Sequence, residues 1–226
     1  MRLFAPLTVS WWFLQHKFQL QKNCAVVLLL TLCRLINMNT LFPLQPIFPE
    51  GFNYYPHFLS EDEEDELCRE ILKFDLQNMN YHGYKANRKT ASFGYDYSFE
   101  NNKLSKGKDI PAAFDWLIEK TGKYISVERN KFAEMLITEY PPGAVINWHR
   151  DVPQFDLIAG ISLLTDCRFR LRPYDKAKQT RSSVNSFTVQ RRSLYTMQND
   201  VRWNWQHSIA PVKQTRYSIT FRTFKL

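Results

Sequence analysis

Two kinds of hydrophobic spacing divide the chain. Ser60 followed by EDEEDELCREILKF reads as a helix with a capping box, Ser60 at the N-cap and Glu63 three residues on. The acidic run complements the positive end of that helix's dipole. A second helix is predicted from Ile110 to about Ile125, with Pro111 in its first turn and Phe114, Leu117 and Ile118 on its apolar face. From Lys131 onward the pattern shortens. FAEMLITEY runs into the Pro-Pro-Gly turn at 141–143, and AVINWHRD, LIAGISLL, CRFRLRPYD, NSFTVQ, SLYTMQ and RYSITFRTF follow. Short strands this closely spaced, with turns between them, predict an all-β barrel or jelly roll packed against the two earlier helices. The expected class is therefore α+β, mainly β.

The first forty residues follow neither pattern. Their apolar centre, Cys24 to Cys33, is roughly half the ~20 residues needed to span a bilayer. It has the character of a signal-peptide h-region, but no A-x-A-like cleavage site follows. Met38 opens MNTLFPLQPIFPEGF, a sensible start for a domain. The expected organisation is an extension over 1–37, either an over-long reading frame or an amphipathic membrane anchor, and one domain over 38–226.

Composition narrows the class further. In 226 residues, 44% are hydrophobic and 23% charged, as in ordinary globular proteins, and seven glycines exclude a collagen-like chain. The net charge of +8 points to an acidic partner, nucleic acid above all, but Arg2, Lys17, Lys22 and Arg34 precede any acid and supply half of that excess. Cys24, Cys33, Cys68 and Cys167 show no C-x-x-C spacing, which argues against a disulfide framework or structural zinc and fits a reducing cytoplasm.

The stretch NWHRDVP adds chemistry. If VINWHRD is a strand, His149 and Asp151 stand at i and i+2 and point to one side. WNWQHSIAP supplies a second histidine, His207. Two histidines and one carboxylate form the facial triad of non-haem Fe(II) oxygenases. An isolated His-x-Asp has a plainer reading, a core histidine with a surface one elsewhere. The last strand alters the balance. In RYSITFR, alternation puts Arg216, Ser218, Thr220 and Arg222 on one face and Tyr217, Ile219 and Phe221 on the other. Two arginines on one face are costly to bury unless each meets an anion, and a dicarboxylate would supply two carboxylates to their planar forks. An exposed edge strand with a solvated charged face is the alternative.

ITEYPPGAVINWHRD, WQHSIAP and RYSITFR, in that order, resemble the AlkB family of Fe(II)- and 2-oxoglutarate-dependent dioxygenases, over roughly residues 48–226. The resemblance implies a double-stranded β-helix, with Fe(II) held by His149, Asp151 and His207, and with 2-oxoglutarate and O2 as cosubstrates. It places Arg216 on the distal carboxylate of 2-oxoglutarate, Arg222 near the carboxylate at the metal, and Tyr140 in hydrogen-bonding reach of the cosubstrate. Thr138 and Ser218 stand where founding members carry asparagines, and Pro153 where some repair members carry an acid.

YHGYKANRKTASFGYDYSF, residues 81–99, interleaves basic and aromatic side chains: Lys85, Arg88, Lys89, Phe93, Tyr95 and Tyr97. Such a segment suits stacking on an extruded base with cations on the phosphates, and its FGYDY portion resembles the nucleotide-recognition lid of AlkB proteins. An ordinary hairpin packed on the barrel is the competing reading. Arg168, Arg170 and Arg172, with Lys176, Lys178 and Arg181, form a second basic cluster, either a backbone-tracking surface or a solvated face. The expected activity is oxidative demethylation of N-alkylated nucleobases in single-stranded DNA or RNA, by a cytoplasmic monomer with no stable protein partner. The alternatives are the same chemistry on a tRNA base or a protein side chain, and an inert nucleic-acid-binding jelly roll. VPQFDLIAGISL and RRSLYTM resemble tRNA-modifying relatives more than repair enzymes.

Overall fold

The computed structural model describes residues 48–81, 84–98 and 102–225; the 1–37 extension lies outside the described residues. Twelve strands and three α-helices are defined among them. The strands are β1 (Phe52–Tyr55), β2 (Gln77–Tyr81), β3 (Tyr84–Ser98), β4 (Lys103–Lys106), β5 (Phe132–Tyr140), β6 (Ile146–His149), β7 (Phe155–Leu163), β8 (Cys167–Pro173), β9 (Asn185–Val189), β10 (Leu194–Met197), β11 (Trp205–Ile209) and β12 (Arg216–Phe224). The helices are α1 (Glu61–Ile71), α2 (Asp115–Ile125) and the short α3 (Asn199–Asn204). An eight-stranded sheet runs β1-β10-β7-β12-β5-β3-β2, with β4 on β3, and a four-stranded sheet runs β6-β11-β8-β9. Antiparallel pairing and two sheets face to face make a jelly roll, a double-stranded β-helix.

Alternation explains how one sheet serves two cores. On β12, Tyr217, Ile219 and Phe221 join Leu67 and Ile71 of α1, Leu117 and Ile118 of α2, and Met135 and Ile137 of β5 in a cluster on the helix side. Each such buried side chain is worth about 1.5–3 kcal/mol. The other face of the large sheet meets the small one, where Phe155, Ile158, Phe169, Leu171, Phe187 and Ile209 form the second core. Arg216, Ser218 and Thr220 are buried on that inner side, so β12 is a covered central strand, not a solvated edge. Glycine is required at one point of the inner face. A Cβ on Gly160 would fall 2.2 Å from Cζ of Tyr195, whose ring crosses β7 there.

The helices differ from expectation in detail. The capping box of α1 is present: the Ser60 hydroxyl accepts from the Glu63 amide at 3.2 Å, and the Glu63 carboxylate accepts from the Ser60 amide at 2.8 Å. One member of the acidic run does more than offset a dipole. Glu64 is buried, accepts from the Leu164 amide at 2.8 Å and from Arg191 Nε at 2.9 Å, and so ties α1 to the loops above the sheet. The second helix starts later than its pattern predicts. Pro111 is extended, with ψ 136°, and Ala112–Phe114 forms a 3-10 turn before α2. Among the described residues, no helix is long and apolar enough to cross a membrane.

Candidate metal and cosubstrate site

Strands β6 and β11 pair so that His149 and His207 face each other across the ladder, with ring centroids 4.2 Å apart. Asp151 does not sit on the strand, because β6 ends at His149 and the chain turns into the loop leading to Pro153. The i, i+2 spacing nevertheless returns its carboxylate to the histidines. One ligand atom from each of His149, Asp151 and His207 lies within 4.8 Å of the others, and Asp151 Oδ2 is 3.6 Å from His207 Nε2.

The surroundings prepare these atoms to bind a cation. His149 Nδ1 lies 2.8 Å from the Asn147 carbonyl, so that nitrogen carries the proton and Nε2 keeps its lone pair. The His207 ring lies parallel to Phe169, 2° between planes and 5.6 Å between centroids, which fixes its orientation. Burial pushes the His149 imidazole below its usual pKa, and burial with the neighbouring His149 brings His207 down to about 3. Both are neutral at pH 7, as ligands must be. Burial alone would raise the Asp151 carboxyl, but Arg222, His207 and His149 outweigh it and hold the group well below the carboxylate range. Arg222 Nη2 donates to Asp151 Oδ1 at 2.7 Å and leaves Oδ2 for a metal. Its Nη1 donates to Glu134, a buried carboxylate that also accepts from Ser92 Oγ at 3.2 Å. Arg222 thus reaches the candidate metal ligand Asp151 itself.

At the other end of β12, Arg216 is fully buried. Its Nε donates to Ser162 Oγ at 3.0 Å, and its guanidinium lies 4.9 Å from the centroid of the Tyr140 ring. Among the described residues, Nη1 and Nη2 have no hydrogen-bond partner of normal geometry, with Tyr140 the polar side chain beside them. A buried arginine with both terminal nitrogens unmet fits a planar anion approaching from the inner side. Thr138 and Ser218 are register partners, buried on the same face between the two arginines. The donor set suits Fe(II), and Arg216 suits a carboxylate of 2-oxoglutarate.

The basic-aromatic segment does not act as one surface. Gly94, at φ +82°, breaks the alternation of β3. Before it, Phe93 is buried in the helix-side core, 5.1 Å from the Phe74 ring, and so is a core residue without access to substrate. Lys89 shares that side and pairs with Glu139 at 3.2 Å. Arg88 lies on the opposite side with Ser92, and its charge depresses the His149 pKa. After the glycine, Tyr95 packs 4.7 Å from Phe224, which stacks on Phe155, while Tyr97 donates to Asn102 Oδ1 at 3.2 Å. The side chain of Lys85 lies outside the described residues.

Three contributors escape the sequence. Glu134 shares the inner-face spacing of β5 with Thr138 and Tyr140, a signal that was present in FAEMLITEY. Ser162 lies in the run LIAGISLL, whose hydrophobicity hides its face. Arg202, nearly fully buried on α3, donates at 2.7 Å to the carbonyls of Val152 and Phe155 and pins the loop after Asp151.

A family model described as the 2OG-Fe(II) oxygenase superfamily matches residues 51–222. The chain belongs to that superfamily. Within it this is an AlkB-family oxygenase, which uses Fe(II), 2-oxoglutarate and O2. It is 28% identical over 170 residues to the tRNA (carboxymethyluridine(34)-5-O)-methyltransferase ALKBH8 of Macaca fascicularis, covering 71% of this chain and 24% of that protein. The mouse ALKBH8 is 26% identical over 178 residues, 73% of this chain and 25% of the relative. The chain therefore spans about a quarter of the length of these relatives. The uncharacterized protein L905 of Acanthamoeba polyphaga mimivirus is 25% identical over 193 residues, 76% of this chain and 84% of that one. The fold is shared with OsALKBH1, TM-score 0.64 at 12% identity, over 80% of this chain and 100% of that one. It is also shared with a Pseudomonas putida prolyl-4-hydroxylase, TM-score 0.55 at 16% identity, over 77% and 93%.

Proposed function

We propose that this oxygenase oxidises an alkyl substituent on a nucleobase of DNA or RNA, with removal of an N-methyl group as the leading reaction. The observation that carries the oxygenase half is Arg216: a buried guanidinium with Nη1 and Nη2 unmet lies on the inner face of the large sheet, opposite the small sheet whose strands β6 and β11 carry His149 and His207 beside Asp151. His149 Nε2, Asp151 Oδ2 and His207 Nε2 would hold Fe(II), and Arg216 would hold the far carboxylate of the cosubstrate. Bound iron and 2-oxoglutarate supply O2 activation, one oxygen atom entering succinate as CO2 leaves and the other entering a C–H bond of the substrate. Arg222 keeps Asp151 ionised and aims one oxygen at the metal. Phe169 covers one face of His207, and Phe155 covers Arg222. An N-hydroxymethyl product loses formaldehyde and leaves the base with its proton restored.

The nucleic-acid half is supported by Arg88 on the site-facing side of β3 and by Tyr95, which is joined through Phe224 and Phe155 to Arg222. A second reading, hydroxylation of a tRNA base with the oxygen retained, is favoured by the ALKBH8 relatives, whose name specifies a tRNA uridine. The test is succinate release with Fe(II) and 2-oxoglutarate across methylated single-stranded DNA, duplex DNA, RNA, unfractionated tRNA and peptides, with nucleosides analysed by mass. Formaldehyde with a demethylated base is expected. A nucleoside heavier by one oxygen supports the second reading, and turnover on peptides alone sinks both.

A further inference from the structure

The outer face of the small sheet carries a basic surface that the site does not use. Cys167, Phe169 and Leu171 of β8 point into the inner core, so Arg168, Arg170 and Arg172 point outward. Two of them are held in place. Arg170 Nε donates to Ser208 Oγ at 2.9 Å and Arg172 Nε to Gln206 Oε1 at 2.8 Å. Their guanidinium carbons lie 5.0 and 4.4 Å from the ring centroid of Trp148, which alternates with the metal ligand His149 on β6. Farther along, Arg150 lies 3.6 Å over the exposed Tyr174 ring and donates to the Trp203 carbonyl at 2.7 Å. None of β6, β8, β9 and β11 contains an aspartate or glutamate. Among the described residues, none of these four arginines forms an ion pair.

This arrangement differs from a solvated charged face. A solvated arginine keeps its rotamer freedom, whereas Arg170 and Arg172 already have Nε committed and their guanidinium groups over an indole. Side-chain ordering has been completed before a ligand arrives, and the Nη atoms remain for it. Alternate residues on a strand are about 7 Å apart, a spacing on the scale of successive phosphates. The same strands carry His149 and His207 on the reverse side, and Arg150 is the immediate neighbour of Asp151. The surface therefore begins at the metal loop and continues around the back of the small sheet.

We propose that Arg150, Arg168, Arg170 and Arg172, with Trp148 as their platform, form a docking track for the sugar–phosphate backbone of the nucleic acid whose base enters the site. The proposal rests on the nucleic-acid reading of the site. It assigns the backbone contacts to the small sheet as well as to the segment around Arg88.

The test measures binding of a labelled RNA stem-loop and a labelled trinucleotide over a range of salt, using the full chain loaded with Fe(II) and 2-oxoglutarate. For the combined Arg168→Gln, Arg170→Gln, Arg172→Gln protein, the log–log salt slope for the stem-loop should flatten by about 2–3, at ~0.9 per duplex phosphate contact. The trinucleotide, too short to leave the site, should bind both proteins alike. Arg168→Gln alone changes an exposed side chain with no partner to lose, so it tests the track without risk to the sheet, and should flatten the slope by about 0.9. An unchanged slope in both variants, with a salt-dependent wild type, overturns the track and leaves the nucleic-acid reading standing. A wild type that binds neither RNA removes both. Loss of binding to phosphatidylserine vesicles with RNA binding intact overturns the track in favour of a lipid surface.

Discussion

The two ends of β12 hold arginines in opposite states. Arg222 finds its anions within the chain: Nη2 donates to Asp151 and Nη1 to Glu134, so two carboxylates flank one guanidinium, and Nε alone of its nitrogens has no partner among the described residues. Arg216, six residues earlier on the same face, meets no carboxylate among the described residues: Nε donates to Ser162, Tyr140, Tyr195 and Cys167 are its polar neighbours, and Nη1 and Nη2 are unmet. The same residue type on the same strand serves as structure at one end and is proposed as a binding group at the other. What separates them is the neighbouring strand. In register, Arg222 faces Glu134 while Arg216 faces Tyr140. Arg222 has acids beside it and completes the fold; Arg216 has none and leaves two donors for an anion.

The comparison breaks most severely at the metal. His149→Ala, Asp151→Ala or His207→Ala should abolish substrate-dependent succinate release while leaving the circular dichroism spectrum unchanged. Activity at the wild-type level in any one of them removes that residue from the triad. Next in size is Arg222→Met, which leaves Glu134 and Asp151 uncompensated. Breaking a buried pair costs about 3–5 kcal/mol, so the melting temperature of the metal-free protein should fall by roughly 6–20 °C for a chain of this length. Arg216→Met reverses the pattern. The metal-free melting temperature should not fall, because no carboxylate loses a partner, but 2-oxoglutarate affinity measured by calorimetry should drop roughly 10- to 150-fold, from the ~1.5–3 kcal/mol of a charge-assisted pair. If both arginines instead behave alike in both assays, the two ends of β12 do not differ in role. The smallest effect belongs to Glu134→Gln. It keeps the shape but weakens the support of Arg222, and Fe(II) affinity should fall by ~10-fold, the lower end for partners that orient metal ligands.

Local periodicity made much of this legible. RYSITFR sorts its residues by strict alternation, and the sheet obeys it, because both faces of β12 are covered and a slip by one residue would exchange arginines for phenylalanine. His149, Asp151 and His207 were legible from residue type and order, although Asp151 turned out to occupy a loop. Within the segment 81–99, Phe93 departs from expectation for a physical reason: alternation places Phe93 and Tyr95 together, and Gly94 at φ +82° rotates the strand between them. Its geometry is imposed from outside, since a Cβ there would lie 2.3 Å from the Ala133 carbonyl oxygen. Arg202 was illegible for another reason. Its partners lie about fifty residues away in a loop with no regular period, and only the folded chain brings them together.

The kink at Gly94 has a thermodynamic consequence for the proposed binding of substrate beside Tyr95. Before it, β3 is laddered to β5 from Lys89 to Gly94; after it, Tyr95–Ser98 is laddered to β4. The wall beside Tyr95 is thus an extension of the large sheet, with its backbone already hydrogen-bonded. A free loop in that place would surrender conformational entropy on every encounter, about 1–2 kcal/mol for each residue ordered. A chain built this way meets its substrate with that loss already taken during folding, so the heat and entropy of binding should reflect desolvation and stacking far more than ordering.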